Sequence, residues 1–112
     1  DQTASLFQKG DGNSSVISQG TAGSASVISA SSSRDNEALV SQGGDEGTSS
    51  VTQNGTGNFA TLDQGGLLNE STIVQNGTSN VASVTQGASG NMADISQTGS
   101  GHSATILQSP GQ

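Results

Sequence analysis

A glutamine returns every eleven residues along this chain, at Gln8, Gln19, Gln42, Gln53, Gln64, Gln75, Gln86, Gln97 and Gln108. Ala30 takes the one missing slot, and a single inserted residue stretches the interval from Ala30 to Gln42 to twelve. Ahead of each position stands the same word: small residue, any residue, aliphatic residue, any residue, Gln, as in Ala60-Thr61-Leu62-Asp63-Gln64 and Ala82-Ser83-Val84-Thr85-Gln86. Self-similarity at a fixed period marks a repeat architecture, in which each unit buries its apolar face only by stacking on its neighbours.

Stacking is needed because the chain is poor in core material. Of its 112 residues only 28% are apolar and 2% aromatic, and it carries 17 glycines. That composition alone fits a disordered chain. The register argues for order, since a disordered linker has no reason to keep an aliphatic residue two places before each glutamine slot.

Aligned on the glutamine, one copy reads Asn58-Phe59-Ala60-Thr61-Leu62-Asp63-Gln64 and the next Asn69-Glu70-Ser71-Thr72-Ile73-Val74-Gln75. Asn, small, aliphatic and Gln fall on alternate positions, so in a strand all four face one way. The inward aliphatic row is Leu6, Ile17, Ile28, Val40, Val51, Leu62, Ile73, Val84, Ile95 and Ile106, mostly β-branched and therefore suited to strands. The asparagine row holds Asn13, Asn36, Asn58, Asn69, Asn80 and Asn91. An eleven-residue period also fits a right-handed helical coil, but the apolar supply is too thin for one and glycine falls in every interval except that from Ala30 to Gln42.

Connections such as Asn54-Gly55-Thr56-Gly57 and Thr98-Gly99-Ser100-Gly101 place glycine at alternate positions, which supplies the positive φ of a tight arc. Seven strand residues plus four connecting residues make one half-repeat. Asn-Gly pairs suit two-residue hairpins of an antiparallel meander, yet four-residue connections between identical words fit a β-solenoid better. The expected fold is all-β: a two-sheet solenoid of ten short strands in about five rungs, with a 22-residue repeat. As a single domain over 1–112, its rungs run 3–24, 25–47, 48–69, 70–91 and 92–108, followed by a tail at 109–112. One ladder then holds Gln8, Ala30, Gln53, Gln75 and Gln97, and the other Gln19, Gln42, Gln64, Gln86 and Gln108. Stacked Gln and Asn amides can bond along such a cross-β stack while the backbone pairs at about 4.8 Å. A buried amide without a partner costs about 1–3 kcal/mol, so glutamine is tolerable inside only in register. Unpaired end rungs would favour non-closing, head-to-tail assembly into a filament.

Formal net charge is −7, with Lys9 and Arg34 the only basic residues, which argues against nucleic acid or an anionic membrane as partner. The chain has no cysteine and no apolar run near the roughly 18–20 residues of a membrane span. A start at Asp1 rather than Met is compatible with a processed, secreted protein. His102 is the sole histidine and stands at an asparagine slot, with no second His or Cys to share a metal. None of the many serines has a base placed to activate it. Glycine–aspartate turns such as Gly43-Gly44-Asp45-Glu46-Gly47 suit calcium β-rolls, but those repeat every nine residues. No catalytic residue, metal site or cofactor is therefore expected. An alternative reading is a monomeric extracellular solenoid, such as an ice-binding or adhesin module, although no regular outward threonine file supports ice binding.

The repeat Gln53-x-Gly55-x-Gly57-Asn58-x-Ala60-x-x-x-Gln64 resembles that of curlins, the amyloid subunits of bacterial curli fibres, and Gln86 to Gln97 matches it apart from Ala88. Gln8 to Gln19 agrees with Ser15 for Ala, and Gln97 to Gln108 with His102 for Asn. The resemblance covers essentially residues 3–108. It implies a secreted structural subunit that leaves the cell through an outer-membrane pore. At the cell surface it would polymerise with copies of itself from a nucleator subunit, forming the cross-β scaffold of a biofilm matrix. It also implies that charged residues in inner repeats slow aggregation, which would make Arg34, Asp35, Asp45, Asp63 and Asp94 gatekeepers; the plainer reading is solvated turns and outer faces. Departures from the pattern gather in the second rung, where Ala30 lacks the amide, residues 31–36 hold the extra residue and Gly47 replaces Asn.

Overall fold

The structure is a computed structural model that describes residues 3–19, 25–43, 46–87 and 89–108. Along the chain run β1 (Thr3–Asp11), β2 (Ser14–Gln19), β3 (Ala25–Arg34), β4 (Glu37–Gln42), β5 (Thr48–Thr56), β6 (Phe59–Gln64), β7 (Glu70–Thr78), β8 (Val81–Gln86), β9 (Met92–Ser100) and β10 (Ser103–Gln108). Odd strands form one five-stranded sheet in the order β1-β3-β5-β7-β9, and even strands the other, β10-β8-β6-β4-β2. Every pairing is parallel, and like residues face like: Gln53 pairs Gln75, Gln75 pairs Gln97, and Gln64 pairs Gln86. The all-β, two-sheet solenoid expected from the period is the observed fold. Its rung count differs slightly, because four 22- or 23-residue steps join the five strands of each sheet, giving about four turns of the coil.

The two eleven-residue halves are not equivalent, which corrects the expectation of uniform seven-residue strands. Odd strands have nine or ten residues and continue past the glutamine, whereas even strands have six and stop at it. The residues just after the glutamine decide the difference. In four of the five odd strands a glycine stands two residues on, at Gly10, Gly55, Gly77 and Gly99, with φ between 116° and 132°, while β3 has Ser32 at that place and a bulge. That conformation, open to glycine, lets pairing run on through the bend, as in Asn54↔Asn76, Gly55↔Gly77 and Thr56↔Thr78. Two residues, Gly57 and Asn58, then suffice to reach β6. On the other side Gln64 is followed by the longer link 65–69. The asparagine slot thus lies in the arcs rather than the strands.

The inserted residue does not expel the second rung. β3 pairs β5 with a 23-residue offset from Ala25↔Thr48 to Ser31↔Asn54, then with 22 at Arg34↔Thr56. A bulge between Ser31 and Arg34 in the ten-residue β3 absorbs the extra residue, leaving the pairing on both sides intact.

The core is a single file between the sheets. Ile28, Val40, Val51, Leu62, Ile73 and Val84 are fully buried and Ile95 nearly so, interleaved with Ala38, Ala60, Ala82 and Ala93. Ile17 and Ile106, in the outermost rungs, are only half-buried and pack against this file. The strand that carries Leu6 pairs it with Ile28, while its side chain lies outside the described residues.

Candidate assembly interface

Beside the aliphatic file lie the glutamines. In the even sheet Gln42 Nε2 donates to Gln64 Oε1 at 2.7 Å, Gln64 Nε2 to Gln86 Oε1 at 2.7 Å, and Gln86 Nε2 to Gln108 Oε1 at 2.8 Å. In the odd sheet Gln53 donates to Gln75 at 2.9 Å and Gln75 to Gln97 at 3.0 Å. Gln42, Gln53, Gln64, Gln75, Gln86 and Gln97 are all buried. Each amide has a polarity along the stack, nitrogen toward the C-terminal rung and oxygen toward the N-terminal one.

The second amide hydrogen crosses between sheets. Gln53 Nε2 donates to Glu37 O at 2.8 Å, Gln75 to Phe59 O at 2.9 Å, Gln97 to Val81 O at 3.0 Å and Gln108 to Met92 O at 3.1 Å. Gln53, Gln64, Gln75 and Gln86 therefore each tie their own rung to the next and one sheet to the other. This second bond is not readable from the repeat, because it depends on where the opposite strand begins. Buried serines join the network: Ser71 Oγ accepts from Gln64 at 2.8 Å and donates to Gln86 at 2.6 Å.

Asparagines stack by a different rule from the amide-to-amide bonding expected of them. Asn13 Oδ1 accepts the backbone N–H of Asn36 at 3.1 Å, Asn36 that of Asn58 at 2.8 Å, Asn58 that of Asn80 at 3.1 Å, and Asn80 that of His102 at 3.0 Å. On the opposite arcs Asn69 Oδ1 accepts from Asn91 N at 2.9 Å. The Nδ2 groups point into the arc, where Asn58 donates to Asn54 O and Gly77 O, both at 3.1 Å, and Asn69 to Gly65 O. Because these residues sit at bends, their short side chains reach backbone rather than each other. An amide-to-amide step occurs instead at Asn54 and Asn76, 2.9 Å apart on the half-buried outer side of the arc.

Remaining sequence candidates fall at the margins. Gln8 is exposed on the first strand, and the side chain of Gln19 lies outside the described residues although its backbone pairs Gln42. Ala30 occupies the ladder slot facing Gln53 and has no amide to offer. Arg34 and Asp35 are exposed on an arc, with Asp35 at φ 54°; Asp63 and Asp94 are exposed on the outer faces of β6 and β9. Asp45 lies outside the described residues. Among the described residues no pocket and no metal-holding group of His, Cys, Asp and Glu is present.

The ends of the coil match one another. β1 and β9 are the two edges of one sheet and each has nine residues; β2 and β10 are the edges of the other and each has six. Their arcs agree too, with Gly10 at φ 118° against Gly99 at 116°, and Gly12 and Gly101 both at 70°. A constant offset of 89 residues sets Gln97 over Gln8, His102 over Asn13, Ile106 over Ile17 and Gln108 over Gln19. Residues 69–99 match the curlin associated repeat. No curated protein and no solved structure matches the chain.

Proposed function

As a protein that carries the curlin associated repeat, this chain is, we propose, the structural subunit of an extracellular fibre built by templated, head-to-tail addition of solenoid rungs. The observation that carries this reading is the agreement of the two end rungs in strand length, arc conformation and side-chain order. A second copy docked on β9 and β10 through its β1 and β2 continues both sheets, keeps the aliphatic file in line, and offers Gln8 and Gln19 to the amides of Gln97 and Gln108. Open parallel edges supply the backbone donors and acceptors for that step. Translation by a fixed rung, without closure, gives a filament. The glutamine, asparagine and aliphatic rows take their roles in polymerisation from this docking.

Secretion through an outer-membrane pore, initiation by a nucleator and service as a biofilm and adhesion scaffold belong to the same proposal, supported by the repeat's family. On this reading the chain has no enzymatic activity, and Arg34, Asp35, Asp45, Asp63 and Asp94 slow aggregation by keeping charge on turns and outer faces.

The test is to incubate purified chain and follow dye-binding fluorescence and fibre diffraction. Fibres with a meridional reflection near about 4.8 Å are expected, and a chain that stays monomeric for days sinks the reading. Gln97→Ala together with Gln108→Ala should slow elongation more than Asp63→Asn, since the pair opens both amide ladders at the junction and the latter alters only an outer face. Equal rates would count against the ladders as the docking contact.

A further inference from the structure

The last asparagine slot on the short arc is filled by His102. It receives the column as an asparagine does, its backbone N–H donating to Asn80 Oδ1 at 3.0 Å. What it passes upward is different. Asn36, Asn58 and Asn80 beneath it each perform two tasks for the next rung: Oδ1 accepts the next slot's backbone N–H, and Nδ2 donates to the next glycine carbonyl. The latter bonds run from Asn36 to Gly55 O at 3.2 Å, Asn58 to Gly77 O at 3.1 Å and Asn80 to Gly99 O at 3.0 Å. For a copy docked with the 89-residue offset, the corresponding groups are the Asn13 N–H and the Gly10 carbonyl, and His102 is the residue that meets them.

Its ring already lies at that place. A Cβ built on Gly55 would fall 1.9 Å from the Gly77 carbonyl oxygen, and one on Gly77 would fall 1.8 Å from that of Gly99. A Cβ built on Gly99 would instead fall 2.8 Å from His102 Nε2. The imidazole thus sits beside the position that an incoming Gly10 carbonyl must take, and being exposed it is free to turn aside.

Resting on the head-to-tail reading, we infer that His102 makes the junction between copies sensitive to pH while the contacts within each copy are not. Neutral imidazole with its proton on Nε2 carries the same pair of functions as asparagine, an acceptor at Nδ1 for the Asn13 N–H and a donor at Nε2 for the Gly10 carbonyl. Imidazolium has two donors and no acceptor, so the Asn13 N–H is left facing another N–H. Histidine is the side chain that changes charge between about pH 5 and 8, whereas amides do not titrate there. No other titratable side chain stands on the neighbouring arcs 54–58, 76–80 and 98–102. The incoming copy brings Lys9 and Asp11 over Thr98 and Ser100, one charge of each sign.

Seeded elongation of the full chain at about pH 7.5 and pH 5, compared between the native protein and His102→Asn, tests this. Any effect of acid outside position 102 is common to both proteins, so the ratio of their rates isolates the histidine. The variant-to-native ratio is expected to rise about tenfold on acidification, the effect of stranding one buried donor. Fibres from both proteins with a constant ratio overturn the inference alone. Absence of fibres from both overturns the head-to-tail reading and the inference with it. As an independent check, ¹⁵N spectra of native fibres grown at about pH 7.5 should show neutral imidazole protonated on Nε2, and imidazolium in those fibres overturns the inference.

Discussion

At the residue scale, the glutamine does what a large apolar side chain does in an ordinary core, and by a different interaction. Gln75 is fully buried, accepts from Gln53 at 2.9 Å, and donates to Gln97 at 3.0 Å and to Phe59 O at 2.9 Å. Gln75→Ala removes all three bonds, strands a donor on one rung and acceptors on two other strands, and leaves a cavity. Urea denaturation of the soluble monomer should show a loss of about 3–5 kcal/mol. Val74→Ala, on the half-buried outer face one residue earlier, should lose less than about 1 kcal/mol. A ratio near one between these two would mean that the ladder contributes nothing beyond area. The inward row was legible in the sequence because strand periodicity is two and the one inserted residue falls between two copies of the five-residue word rather than inside one. Which atoms of each amide bond to what was not legible: Gln and Asn carry the same group, and only the arc geometry turns the asparagine oxygen toward a backbone N–H rather than toward its neighbour's amide.

Among the elements, the arcs set the architecture more tightly than the strands. Gly77 has φ 132°, and a Cβ there would fall 1.8 Å from the Gly99 carbonyl oxygen, a backbone atom that cannot withdraw without parting β7 from β9. Gly90, on the opposite side of the coil, has φ 71° with nothing within 4 Å of its Cβ position. Gly77→Ala should therefore destabilise by about 3 kcal/mol or more, combining left-handed strain with backbone overlap, whereas Gly90→Ala should lose only about 1 kcal/mol of conformational strain. Thermal unfolding of the two variants separates them, and equal losses would show that φ alone decides. The tolerance of Gly90's position is already written into the chain, since Leu68, one turn earlier, is accommodated at φ 58°. From sequence alone the glycines read as interchangeable turn residues, because a period of eleven treats both arcs alike. Their difference appears only once one arc is seen to keep its rungs paired through the bend.

For the whole molecule, that inequality makes 22 residues, not eleven, the unit of construction, and the distinction can be tested by deletion. Removing residues 70–91 joins Asn69 to Met92, so that β9 takes the place of β7 as a nine-residue strand ending in Thr98-Gly99-Ser100 and followed by Gly101. Every later side chain keeps its sheet and its facing, and the open ends still match. Removing residues 70–80 also preserves the glutamine beat, but it places β8 in the odd sheet. There the residue two after Gln86 is Ala88, where Gly10, Gly55, Gly77 and Gly99 adopt φ of 116° to 132°. Alanine at that φ meets the carbonyl of the adjacent rung, and each subsequent strand is assigned to the sheet for which its arc is the wrong length. The 22-residue deletion is expected to give β-rich protein that seeds on native fibres, with stability lower by roughly one rung, in keeping with nearest-neighbour additivity in repeat proteins. The eleven-residue deletion is expected to fail to seed, despite an unbroken eleven-residue period at its junction. Circular dichroism of each variant with seeded growth on native fibres decides the matter. Equal seeding by both would show that the sheets accept either half-repeat, and that the arcs adapt to the strands rather than direct them.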